Sequence, residues 1–118
     1  MKVYIAGPMS NGGTLTPAQE GANIRAGMEA ARRVLEAGHS VYLPHLWRFF
    51  ADTVEHGVTR DQWLAQDLEW VAASDAVVRL EGTSPGADRE VQHAVQHGRM
   101  VLAGVDEFFA WVEEGCPQ

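Results

Sequence analysis

An α/β three-layer sandwich around a parallel sheet of four to five strands is the fold predicted by three observations. Four short apolar runs, Val3–Ala6, Ser40–Leu43, Ala76–Leu80 and Met100–Ala103, show little polar alternation, as expected where helices cover both faces of a sheet. Helical segments with definite start and stop signals lie between them. Strand and helix alternate along the chain, so each connection is a crossover. Right-handed crossovers then favour a flavodoxin-like or Rossmann-like sheet.

The elements follow in order. After the first run comes a loop, GPMSNGG, at residues 7–13. Thr16 then supplies an N-cap, Pro17 the first helical position and Gln19 the return arm of a capping box. The helix they open is expected to reach Ala37 and stop at Gly38. After the second run, Pro44–Gly57 is an extra stretch, partly helical. Thr59 and Gln62 form a second capping box, opening a helix to Ala73. Ser84-Pro85 opens the next, ending at Gly98. Asp106 is expected to cap the last, which ends near Gly115.

A chain of 118 residues holds one compact domain, here residues 1–118, without repeats, low-complexity segments or a linker. The net charge of −7 argues against a surface built to neutralise DNA or RNA. One anionic nucleotide stays compatible with it, because a single local site can be positive on an acidic protein. Cys116 is the one cysteine and has no internal partner, which fits a reducing compartment. The start of the chain does not read as a signal peptide, and no stretch reaches the length of a membrane span. The expectation is a cytoplasmic protein with no membrane and no nucleic-acid partner.

In open parallel sheets ligands bind beyond the carboxyl ends of the strands. The segments to inspect are therefore Gly7–Leu15, Pro44–Phe50 and Glu81–Glu90. The first loop offers Gly7, Gly12 and Gly13 for close backbone approach and Ser10 and Asn11 for hydrogen bonds. It matches neither GxGxxG nor GxxxxGK[ST], so a generic NAD or ATP site is not supported. Asp67 falls beside the apolar stripe of Leu64, Leu68 and Val71, where a carboxylate is costly unless paired or used. Its bland alternative is escape to solvent or a pair with Arg60. Glu90 lies in the second turn of its helix, flanking Ala87, Val91, Ala94 and Val95. A carboxylate near a helix N-terminus is held as the anion, which suits a nucleophile. Its alternative is a solvated glutamate. Two carboxylates on adjacent helices fit the logic of retaining glycoside hydrolysis.

Glu90, His93 and His97 also project to a similar side of one helix, with His45 the one further candidate ligand, so a metal site is a competing reading. His39 and His56 read as turn residues. Trp63 and Trp70 share a helix side, for core or subunit packing. Trp47, with Phe49 and Phe50, either walls a nucleobase or covers the sheet.

The opening KVYIAGPMS, the run QDLEWVAASDAVV and the segment TSPGADREVQHAVQHGRMVL resemble the nucleoside 2-deoxyribosyltransferase superfamily, nearest its small branch of 2′-deoxynucleoside 5′-phosphate N-hydrolases. The resemblance implies a nucleophilic Glu90 four residues after Gly86, with Asp67 in QDLEW assisting sugar positioning and proton transfer. It implies that Ser84 meets the 5′-phosphate or 5′-hydroxyl. Sugar and base would lie against the first loop, through Gly7, Ser10 and their neighbours Pro8, Met9 and Asn11. By their positions, His45, Trp47 and Gly86 are further candidates for substrate binding. The expected activity is cleavage of an N-glycosidic bond through a glycosyl–Glu90 intermediate, resolved by water or by an acceptor base. No metal or organic cofactor is implied, and a homo-oligomer is expected. The alternative is a nucleotide-sensing domain that keeps the fold without turnover. Where the phosphate-binding N-hydrolases carry an arginine in the first loop, this chain has Ser10-Asn11-Gly12-Gly13. The 5′-phosphate requirement stays open, and Asp88 would repel a phosphate if it faced the site.

Overall fold

A computed structural model describes all of residues 1–118. The elements run β1 (Lys2–Ala6), α1 (Pro17–Glu36), β2 (Ser40–Tyr42), a 3₁₀ turn (Pro44–Leu46), α2 (Trp47–Thr53), α3 (Arg60–Ala73), β3 (Ala76–Arg79), α4 (Pro85–Gln96), β4 (Met100–Ala103) and α5 (Val105–Glu113). The four strands form one parallel sheet in the order β2-β1-β3-β4. The predicted three-layer α/β fold is the observed one, with four strands.

The capping signals act where the sequence places them. The Thr16 hydroxyl accepts from the Gln19 amide while the Gln19 side chain accepts from the Thr16 amide, and Thr59 with Gln62 repeats the arrangement. Asp106 does not cap α5. Gly104 takes that position, with φ 92, a conformation that glycine adopts without steric cost. Asp106 lies within the first turn and pairs with Arg33 of α1 at 2.8 Å, while the Glu107 carboxylate reaches back to the Ala103 amide. The extra stretch resolves into the 3₁₀ turn and α2, a helix with no side-chain cap and no buried residue. Val95, expected on the apolar side of α4, points to solvent.

Alternation along β1 divides the core. Val3 and Ile5 face α1 and α5, in a cluster with Val34, Val78, Leu102 and Phe108. Each such side chain contributes about 1.5–3 kcal/mol by leaving water. Tyr4 and Ala6 face α3 and α4, in a smaller cluster with Val71, Val77, Ala87 and Ala94. Alanine where the first cluster has larger side chains leaves that second face thin. No helix is long and apolar enough to cross a membrane.

Candidate active site

Chain order runs from β1 outward to β2 on one side and, by β3, to β4 on the other. The loops after β1 and β3 therefore diverge, and a crevice opens between them. Asn11 Nδ2 bridges it to the Thr83 carbonyl at 2.9 Å. The first loop is anchored twice more: Asn23 Nδ2 donates to the Met9 carbonyl at 3.0 Å, and His45 Nε2 to the Pro8 carbonyl at 2.9 Å. Since a carbonyl only accepts, the His45 proton sits on Nε2. Burial lowers its pKa and keeps the ring neutral. Asn11, Gly12 and Gly13 all take positive φ as the loop turns, closed by the Ser10 carbonyl accepting from Gly13 and Thr14. The glycines matter most where chains touch. A Cβ on Gly82, at φ +110, would stand 2.8 Å from Pro8 Cγ, and one on Gly7 would stand 3.0 Å from Leu80 Cβ. Pro8, Asn11, Gln19, Asn23 and Thr83 line a groove of about 240 Å³ here.

The two carboxylates lie on the α3/α4 side of the sheet, each against a different tyrosine. Tyr4 and Tyr42 are register partners on adjacent strands, and their rings stack at 5.4 Å. Trp70 of α3 stacks on the far side of Tyr42 at 5.2 Å, giving three layered rings. Tyr4 is fully buried, and its hydroxyl donates to Glu90 Oε2 from α4. The Tyr42 hydroxyl lies 3.5 Å from Asp67 Oδ1. Trp47 Nε1 donates to that hydroxyl at 2.8 Å and Gln66 Nε2 at 3.2 Å.

This setting explains the electrostatics. Burial pushes the Glu90 carboxyl from 4.5 up to about 7, with the Tyr4 hydrogen bond opposing and the Asp67 charge adding to the rise. Burial pushes Asp67 from 3.8 up to about 6, against the Tyr42 hydrogen bond. Tyr4 is raised by burial and then by the Glu90 and Asp67 charges, so it stays a donor. Proton loss from two such neighbours belongs to the pair. The higher value at Glu90 favours the shared proton there; in the alternative form, with the proton on Asp67, Tyr4 supports Glu90 as the anion. The arrangement thus places an ionised carboxylate beside a protonated one near neutral pH, against an aromatic wall.

The other predicted site residues are distributed as follows. Trp47 is 37% exposed at the edge of the wall, with its ring against Phe50 and Trp63. Trp63 belongs to that cluster and Trp70 to the tyrosine stack, so the two tryptophans do different work. Ser84 is only 5% exposed, and its hydroxyl caps α4 by accepting from the Ala87 amide at 3.1 Å. Gly86 follows in the first turn with open space where a side chain would stand. His45, at 2% exposure, braces the first loop from beneath rather than facing the crevice. Asp88 pairs with Arg79 at 3.0 Å, which offsets the charge expected to repel an anion. Arg79 also donates to the Gly82 carbonyl at 3.0 Å and so clamps the loop that leads into α4. His93 and His97 lie ring on ring at 4.2 Å while Glu90 turns to Tyr4. No three His, Cys, Asp or Glu side chains gather as a metal group. His39 is more than a turn residue: its Nδ1 meets the Met1 amine at 3.0 Å and its ring edge meets Phe108.

Sequence reasoning missed Tyr4, Tyr42 and Gln66. One signal was available for the first: a tyrosine in a strand buried on both faces must find a partner for its hydroxyl.

A family model described as Domain of unknown function (DUF4406) matches residues 1–103. No curated protein matches the chain. Among solved structures, 2-desoxiribosyltransferase from Leishmania mexicana is similar in fold, with a TM-score of 0.54 and 19% identity. The alignment covers 86% of this chain and 61% of that one, so the chain spans about three fifths of that protein's length.

Proposed function

The chain belongs to the DUF4406 family, and from the carboxylate pair it carries we propose that it cleaves the N-glycosidic bond of a nucleoside or nucleotide through a covalent glycosyl–Glu90 ester. One observation carries this reading: Glu90 and Asp67, from adjacent helices, lie on one side of the sheet, each against the hydroxyl of one of two stacked tyrosines. The sequence resemblance and the likeness in fold support it.

In the first step, from the form with the shared proton on Asp67, a Glu90 oxygen attacks C1′ of the sugar. The C1′–N bond breaks, its electron pair goes to the base, and Asp67 gives the base a proton. Tyr4 holds the Glu90 carboxylate in place throughout. In the second step Asp67, now ionised, takes a proton from water, which attacks C1′ and releases Glu90. An acceptor base in place of water gives transfer. The part-exposed Trp47 ring suits the flat face of a base, and the crevice between the loops suits the sugar and its 5′ group.

The test incubates the protein with deoxynucleosides, ribonucleosides and their 5′-monophosphates, with and without an acceptor base. Base release is followed by chromatography beside Glu90→Ala. The expected loss in the variant is about 10²-fold or more, as for removal of a covalent nucleophile. Equal release by both proteins sinks the mechanism. Binding without turnover in either points to the sensing domain instead.

A further inference from the structure

Tyr42 ends the edge strand β2, yet four side chains converge on its ring and hydroxyl. Tyr4 and Trp70 sandwich the ring. Trp47 Nε1 reaches the oxygen at 2.8 Å and Gln66 Nε2 at 3.2 Å. An indole N–H can only donate, and with the Gln66 amide donating as well both lone pairs of a phenol oxygen are occupied. The hydroxyl proton then has one acceptor left within reach, Asp67 Oδ1. At 3.5 Å that contact is long for an O–H···O bond. Catalytic hydrogen bonds are often long before substrate closes on them and tighten in the complex.

We propose that Tyr42 is a positioning residue for Asp67: Trp47 and Gln66 orient its hydroxyl so that its proton meets Oδ1, leaving Oδ2 as the oxygen that exchanges a proton with the leaving base. This rests on the glycosyl-transfer reading above for its chemical meaning, though not for its geometry. When Asp67 gives up its proton, the Tyr42 hydrogen bond becomes charge-assisted and strengthens. Two donors on the tyrosine oxygen polarise its O–H bond further in the same direction. Tyr42 therefore helps where negative charge develops on Asp67, in the step that protonates the base. The groups facing Asp67 are Tyr42 directly, with Glu90 and Tyr4 close enough for their charges to couple to it. Tyr42→Phe keeps the stacked ring and removes only the hydroxyl.

Two readouts test the inference. Carboxyl carbon resonances of labelled protein report the ionisation of Asp67 without any substrate. Since the Tyr42 bond lowers the Asp67 pKa, Tyr42→Phe should move that titration to higher pH, and Trp47→Phe should move it the same way by less. Unchanged titration in folded Tyr42→Phe overturns the inference; if that variant does not fold, unchanged titration in Trp47→Phe overturns it. The second readout compares two nucleosides, one with a neutral base and one with an N7-methylated purine whose fixed charge leaves without an acid. Tyr42→Phe should slow release of the neutral base by about tenfold, a part of what general acid catalysis supplies, and slow the methylated one much less. Equal slowing of both is the mark of lost packing and also overturns it. A wild-type protein inert toward both nucleosides sinks the proposed function alone, and the Asp67 titration still decides the role of Tyr42.

Discussion

Replacing Glu90 by glutamine should make the protein more stable at alkaline pH while removing its proposed nucleophile. The carboxyl ionises at 4.5 in an ordinary setting and at about 7 in the fold. Below the lower value it is protonated in both folded and unfolded chains, and its charge affects neither. Between the two, the unfolded chain loses the proton first, so stability falls as pH rises. Above about 7 the loss is complete. At about 1.4 kcal/mol per tenfold change, the full penalty is about 3 kcal/mol. Glu90→Gln removes the charge and keeps a carbonyl oxygen for the Tyr4 hydroxyl to donate to. The glutamine amide must itself be accommodated, so the gain at about pH 8 should be on the order of 1–3 kcal/mol, with almost none at about pH 4.5. For a domain of this size each kcal/mol moves Tm by about 4 °C. Thermal and urea unfolding of both proteins across that range reads the difference directly. Parallel stability profiles, or a variant less stable at the alkaline end, would refute the idea that Glu90 is an ionised group held in a desolvated place.

Two further outcomes follow from the same geometry. Tyr4→Phe preserves the stack on Tyr42 but removes the hydrogen bond that lowers the Glu90 pKa. Fewer molecules then carry Glu90 as the anion beside a protonated Asp67, so activity at neutrality should fall about fivefold and the activity–pH profile should change shape; an unchanged profile contradicts the assigned bond. Gly82→Ala meets both a strained backbone at φ +110 and Pro8 Cγ at 2.8 Å, whereas Gly13→Ala, at φ +82, meets no atom within 4 Å. The first should lose about 1–3 kcal/mol more than the second in urea unfolding. Equal losses would show that the contact between the two loops is not tight.

The frame of the molecule was legible because its signals are local. Thr16 with Gln19 and Thr59 with Gln62 specify helix starts through bonds within four residues, and the apolar runs specify buried strands by composition alone. Asp67 and Glu90 stood out because a carboxylate beside an apolar stripe violates the helical pattern. What joins them was not legible. Tyr4 and Tyr42 read as strand-forming aromatics, and that they share a register depends on β2 pairing with β1, a non-local fact. Asp106 shows the opposite failure. Its residue type fits an N-cap, but a glycine two positions earlier takes the turn, and the aspartate goes to Arg33 across the helix layer. Ser84 kept the capping role its position predicts, and that commitment bears on how it can meet a ligand: its oxygen already serves the Ala87 amide.

The unequal faces of the sheet account for how so small a chain tolerates a costly carboxylate pair. On the α1/α5 side the core is continuous and built largely of branched aliphatic and aromatic side chains. On the α3/α4 side, alanines at 6, 87 and 94 let α4 approach the strands closely, and the room beyond them goes to Tyr4, Glu90 and Asp67 rather than to aliphatic packing. Filling that face with leucine and valine would add stability by removing apolar surface from water. It would also displace the group that holds Glu90. The strands carry the division in their alternation, Val3 and Ile5 supporting one side while Tyr4, between them, faces the other. A single register thus fixes both, since a slip of one residue would bury Glu90's partner in the aliphatic core and strand the carboxylate without a donor. Pairing of β1 with its neighbours is therefore what makes the site, and the larger core is what keeps that pairing in place.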